Sequence, residues 1–175
     1  VHIKAIRTAD TGVLMTAPGA GFLPKGVQGK VAICPLADGH FTFQGVQLPL
    51  SPMIGVIGVA PAGEAVSCGT PGVHGGNMDT TSIREGSLLY LPVLVEGALL
   101  AMGDLHAAMG DGEVCVTGLE VAGEVDVCLT VEKGMHLPCP LVKSATELAF
   151  LASGATIDEA LNLSVQYMND FLVRH

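Results

Sequence analysis

The chain has 175 residues, 49% of them hydrophobic and 14% charged, and 17 Asp and Glu against 8 Lys and Arg give a net charge of −9. Apolar content at this level excludes a disordered chain, and the negative balance argues against binding a nucleic-acid backbone or an anionic membrane surface. With 23 Gly, 10 Pro and few charges, the expected class is a turn-rich β protein, not a helical bundle.

In chain order, residues 1–6, 13–16, 31–34 and 41–48 are β-branched or alternating runs. Gly19-Ala-Gly21, Pro24, Gly29 and Asp38-Gly39 punctuate them as turns. Residues 53–59 are apolar throughout, and too short and Gly-rich for a helix, so they read as a strand buried on both faces. Residues 60–86 form a long irregular stretch dense in Gly, Pro, Thr and Ser, and a connection of this kind is usually functional. Residues 88–95 and 99–102 read as strands around a turn at Glu96-Gly97. Residues 114–121 and 124–131 read as a hairpin turning at Ala122-Gly123, with Val125, Val127, Leu129 and Val131 on one face.

One helix is expected, near the end. Thr156-Ile-Asp-Glu159 fits a capping box, and Ile157, Ala160, Leu161, Val165, Met168, Phe171 and Leu172 recur at three- and four-residue steps. His175 closes the chain and is given no role. The whole reads as a single β-rich domain over residues 1–175, mainly β, with sandwich-like antiparallel sheets and one C-terminal helix.

The longest uncharged stretch, residues 39–63, contains Pro49, Pro52 and Pro61, so no membrane helix is expected. Five cysteines with no C-x-x-C pair imply free thiols and a reducing compartment, here the cytoplasm. Cys115 and Cys128, inside the expected hairpin, read as packing residues. The first residue is Val1, which suggests a processed chain or a fragment.

Chemistry is concentrated in the middle third. Between Glu64 and Asp126 stand ten acidic residues and one base, Arg84. Such crowding is unfavourable unless the carboxylates face water or a cation. His74-Gly-Gly-Asn-Met-Asp79 offers His74 and Asp79 as metal ligands and Asn77 as a donor to substrate; an ordinary turn capped by Asp79 is the other reading. In Gly103-Asp-Leu-His106, residues two apart share a face on an extended chain, so Asp104 and His106 can point at one centre. Asp111 and Glu113 stand in the same relation, as further ligands or as a general base; a glycine-stabilised bend is the alternative.

Four motifs carry a resemblance. Pro52-Met-Ile-Gly-Val-Ile-Gly-Val-Ala-Pro61, Thr70-Pro-Gly-Val-His-Gly-Gly-Asn-Met-Asp79, Leu89-Tyr-Leu-Pro-Val93 and Gly103-Asp-Leu-His-Ala-Ala-Met-Gly-Asp-Gly-Glu-Val114 stand in this order. Together they resemble the acetamidase/formamidase family. The resemblance implies hydrolysis of a small carboxamide such as formamide or acetamide to the carboxylate and ammonia. It also implies a β-rich sandwich with a few helices, assembled into oligomers. Family members are longer, so the chain reads as a central piece whose remainder a second polypeptide could supply; a non-catalytic metal- or ligand-binding module is the competing class.

Within that frame a divalent ion would activate water for attack on the amide. His74, Asp104 and His106 are the expected ligands, with Asp79 a fourth; Glu113 is the expected general base and Asp111 the second choice. Zinc suits mixed imidazole and carboxylate donors, and manganese or iron also fit. Cys68, six residues before His74, is the alternative thiol nucleophile. Glu120 and Glu124 read as solvated residues flanking the hairpin turn.

Overall fold

A computed structural model describes residues 1–174; His175 lies outside the described residues. The strands are β1 (His2–Thr16), β2 (Lys30–Ala37), β3 (His40–Phe43), β4 (Val46–Pro49), β5 (Met53–Gly58) and β6 (Pro71–Gly72). They continue with β7 (Gly75–Asn77), β8 (Leu88–Tyr90), β9 (Ala101–His106), β10 (Glu120–Cys128), β11 (Leu141–Lys143) and β12 (Leu148–Phe150), and α1 (Ile157–Arg174) closes the fold. The main path of the sheet runs β12-β11-β8-β1-β10-β9-β5-β7-β6, with β2, β3 and β4 branching from β1. Every pairing among the described strands is antiparallel. The β-rich class with one C-terminal helix is therefore as the composition implied.

The long β1 joins the sheet to its branch. Its first half pairs with β10, from His2 opposite Cys128 to Thr8 opposite Gly123, while Thr11 to Thr16 pair with β2 from Pro35 to Lys30. Register shifts after Ile3 and Thr8 bend it between the two. Ile3, Ile6, Ile54, Ile57, Ile83, Leu89, Leu105 and Val142 form the main core. Cys34, Leu36, Phe41, Ala107 and Leu119 form a second core under the branch.

β5 lies between β9 and β7, and Met53, Ile54 and Ile57 on its two faces are at most 1% exposed. This is the doubly buried strand that its unbroken apolar run suggested. The run 41–48 divides into β3 and β4, because Gln44 and Gly45 take positive φ (49° and 81°) and close a two-residue hairpin. The irregular stretch 60–86 keeps only two short strands, β6 and β7.

The hairpin expected at Ala122-Gly123 does not form. Residues 120–128 are one strand, and residues 114–119 belong to the loop before it. Gly123 is not a turn residue; it is where the backbones of β10 and β1 come close, and a Cβ there would run into the Arg7 carbonyl oxygen. Alternation along β10 itself holds: Val125 and Val127 pack on the main core, while Glu124, Asp126 and Cys128 are exposed. Cys128 is thus a surface thiol, not the packing residue expected, and Leu129 and Val131 lie beyond the strand, 59% and 74% exposed.

The capping box of α1 is present. The Glu159 N–H donates to Thr156 Oγ1 (3.2 Å), and the Glu159 carboxylate accepts from the Ala155 N–H (2.9 Å). The helix docks through its second half, where Tyr167, Met168 and Phe171 pack on Cys139, Leu141 and Phe150. Phe150 meets the rings of Tyr167 and Phe171 edge-on, with centroids 6.2 and 5.7 Å apart. Ile157, Leu161, Val165 and Leu172 of the expected apolar face remain exposed. Among the described residues, no helix is long and apolar enough to cross a membrane.

Candidate active site

His106 is the last residue of β9, flanked by Glu120 of β10 and Met53 of β5 in the ladder. Directly opposed residues share a face, so the register alone directs the Glu120 carboxylate towards the His106 ring. The side chain is 1% exposed. Its Nδ1 lies 3.2 Å from Met109 Sδ. Gly118 covers the ring; a Cβ on it would strike Nδ1 and lie 2.7 Å from Cγ. Only a residue without a side chain seats the imidazole there.

The other nitrogen faces carboxylates. His106 Nε2 is 3.4 Å from Asp104 Oδ1, 3.4 Å from Glu120 Oε2 and 3.8 Å from Glu113 Oε1, and it has no hydrogen-bond partner. Asp79 completes the cluster. The ligating atoms of Asp79, His106 and Glu113 lie within 4.8 Å of one another, as do those of Asp104, His106 and Glu120.

Gly55, in the middle of β5, forms the floor. A Cβ there would lie 2.6 Å from Asp79 Oδ1 and 2.8 Å from both the carbonyl oxygen and Oδ2 of Asp104. The Gly55 carbonyl accepts from the N–H groups of Met78 (3.1 Å) and Asp79 (3.2 Å), which fixes the chain as it leaves β7. Asp79, Asp104 and Glu113 all hold positive φ (39°, 56° and 40°), a conformation that costs energy for residues with side chains and recurs at functional sites. Asp79 Oδ1 and Asn77 Oδ1 are buried without a hydrogen-bond partner.

Burial and crowding raise three carboxyls, those of Asp79, Glu113 and Glu120, above their ordinary range. Burial is the first cause for Asp79, with Asp104 adding repulsion. Burial again leads for Glu113, followed by repulsion from Asp79 and Asp104. Glu120 is pushed up to about 7 by burial and by Asp104 and Glu113, against the opposing pull of His106 and the Gly118 N–H. Charge of one sign gathered in a half-buried space is relieved by protons or by a cation. The donors also suit a cation: one imidazole nitrogen without a hydrogen-bond partner, ringed by carboxylate oxygens, is a borderline-to-hard set. The residues therefore fit a divalent ion.

Of the residues singled out in the sequence, Asp79, Asp104, His106 and Glu113 come together. His74 stands apart, in the turn between β6 and β7 with its ring against Gly72 and Gly76, in neither of the ligand groups around His106. Asp111 is exposed and accepts a hydrogen bond from Thr81 Oγ1 (2.8 Å), also outside those groups. Asn77 lies at the end of β7, opposite Val56. Cys68 is exposed, and neither group contains a cysteine. Glu120 replaces the two absentees; its only sequence signal was proximity to the acidic run, and the expected hairpin hid its pairing with His106. Gly55 and Gly118 were legible only as glycines inside apolar or polar runs with no turn chemistry of their own.

The sequence signature of the Acetamidase/Formamidase family matches residues 62–153, just over half of the chain. The chain is 43% identical to a formamidase of Methylophilus methylotrophus over 110 residues, which are 57% of this chain and 27% of that protein. Among solved structures, an acetamidase from Bacillus halodurans superposes with a TM-score of 0.93 at 43% identity, covering 99% of this chain and 60% of that one. A predicted acetamidase/formamidase from Thermoanaerobacter tengcongensis gives a TM-score of 0.89 at 48% identity, covering 99% of this chain and 58% of that one. The chain thus spans about three-fifths of the length of these solved relatives.

Proposed function

The chain belongs to the acetamidase/formamidase family, and from that membership we propose that it carries the catalytic centre of an amidohydrolase acting on small aliphatic carboxamides, with formamide and acetamide as first candidates. The observation that carries this reading is the buried His106 imidazole, whose unpartnered Nε2 faces Asp104, Glu113 and Glu120. The Met109 thioether beside Nδ1 can only accept, so with the proton on Nδ1 the Nε2 lone pair faces the carboxylates, an arrangement that a cation between them would relieve.

His106, Asp104, Asp79 and Glu120 would hold a divalent ion, for which zinc is our choice because an imidazole joins the oxygen donors. Such an ion, when bound, polarises the amide carbonyl and acidifies water. Glu113 then serves as general base: its carboxylate takes a proton from the attacking water as the oxygen bonds to the carbonyl carbon. The same carboxyl returns the proton to the leaving nitrogen as the C–N bond breaks, so carboxylate and ammonia depart. Asn77 pairs with Val56, on the face of β5 away from Gly55 and His106, and is assigned no substrate contact in this reading. His74 and Asp111 are assigned no ligand or base role in this reading.

A second reading draws on α1, whose Ile157, Leu161, Val165 and Leu172 are exposed. An apolar face of this kind is expected to meet other polypeptide, either another copy of the chain or a second one, and turnover could depend on that assembly. Ammonia release from formamide and acetamide tests both readings. The proposal expects release by the zinc-loaded protein, loss after chelation and recovery on adding zinc. Undiminished release from chelated protein, or inactivation by a thiol reagent alone, would overturn the metal route. Release only from an oligomer or a two-chain complex would establish the second reading.

A further inference from the structure

Two of the cluster's carboxylates, those of Asp79 and Glu113, stand on separate loops, and each loop is a tight turn beside the residue that matters. On one side, the Ile83 N–H donates to the Thr80 carbonyl (3.1 Å), closing a turn over residues 80–83, and the Ile54 N–H ties that turn to β5 through the Ile83 carbonyl (3.0 Å). On the other, the Glu113 N–H donates to the Gly110 carbonyl (3.3 Å), closing a turn over residues 110–113 in which Gly112 takes the positive φ (83°) that its third position favours. Thr81 lies two residues after Asp79, and Asp111 two before Glu113. The 2.8 Å hydrogen bond from Thr81 Oγ1 to Asp111 Oδ1 spans the two turns.

The loop bearing Glu113 is otherwise exposed at Asp111, Gly112 and Val114. It is held on its far side by the Phe22 N–H, which donates to the Val114 carbonyl (3.1 Å), and at its base by Thr117 Oγ1, which donates to the Met15 carbonyl (2.9 Å). Those tethers lead to β1 and the loop after it, whereas the Thr81–Asp111 bond leads to the segment that carries Asp79. Glu113 holds a backbone φ of 40°, a conformation that persists only where the surrounding structure fixes it.

We propose that Thr81 and Asp111 form a latch that fixes the segment carrying the ligand Asp79 against the loop carrying Glu113, so that Asp111 acts as a positioning residue through its acceptor oxygen and not through its charge. This rests on reading the His106 cluster as a cation site. It makes a prediction that a ligand or base role for Asp111 does not share: an asparagine, which keeps the acceptor oxygen and loses the charge, should serve as well as the aspartate.

The test is zinc affinity, measured by chelator competition on the whole protein, alongside melting temperature. Supporting partners of metal ligands typically contribute 10–100-fold in affinity, so Thr81→Val and Asp111→Ala should each weaken zinc binding by about tenfold. Thr81→Ser and Asp111→Asn should stay within about twofold of wild type. Thr81→Val combined with Asp111→Ala should be no weaker than either alone, since both break one bond. Wild-type affinity in Thr81→Val, additive losses in the double variant, or an Asp111→Asn as weak as Asp111→Ala would overturn the latch while leaving the cation site standing. Absence of zinc binding by the wild type would instead overturn the cation site on which the latch depends.

Discussion

Replacing His106 by alanine is expected to empty the site of metal and end ammonia release. The imidazole is the one nitrogen donor in both ligand groups, and it is shared between them. Its loss leaves only carboxylates, an all-oxygen set that suits hard cations and lacks the nitrogen donor of zinc sites. Zinc affinity should fall by more than ~100-fold, beyond what loss of a supporting residue costs. Because the ring is 1% exposed, truncation also leaves a cavity and removes a group that offsets carboxylate repulsion. His106→Gln separates these effects: it restores most of the volume without a ring nitrogen. Metal analysis and ammonia release on both variants check the prediction. Metal-dependent turnover in folded His106→Gln would contradict it.

The second large effect is at Gly118. A methyl group there cannot coexist with His106 in its present place, since the added carbon would overlap Nδ1 and lie 2.7 Å from Cγ. Ring or strand must move, and the Gly118 N–H that donates to Glu120 Oε1 (3.1 Å) moves with it. Overpacking a close-packed interior costs about 1–3 kcal/mol, which for a chain of this size is roughly 3–9 °C in melting temperature. Zinc affinity should fall in the same variant, because Glu120 and His106 are displaced together. Gly103→Ala is the control. It lies on the same strand as His106, and a Cβ there meets nothing within 4 Å. Thermal unfolding and zinc titration of the two variants should therefore diverge; equal behaviour would contradict the packing account of Gly118.

Much of this site was legible because the relevant relations are local. Asp104 and His106 are two apart on an extended strand, and both reach the same centre, although Asp104 does so through a positive φ that simple alternation does not supply. The doubly apolar run of β5 gave a central strand, but not that Gly55 within it is the surface on which Asp79 and Asp104 rest. What the sequence hid was register. Glu120 meets His106 because β10 begins before Gly123 and pairs with β9 there, whereas turn chemistry placed a reversal at Ala122-Gly123. Glycine at a close approach between backbones and glycine at a turn look the same in one sequence. His74 illustrates the converse: Gly75 and Gly76 suggested a ligand loop, and in the fold the ring lies between Gly72 and Gly76 in the turn from β6 to β7, while Gly75 packs against β5.

In the proposed reading the carboxylates around His106 hold a cation. Zinc titrated into chelator-stripped protein, followed by calorimetry with metal analysis of the dialysed product, tests it directly. The expected result is saturable binding of about one ion per chain, abolished in His106→Gln. Saturable binding that His106→Gln leaves unchanged, or no binding by the wild type, would contradict it.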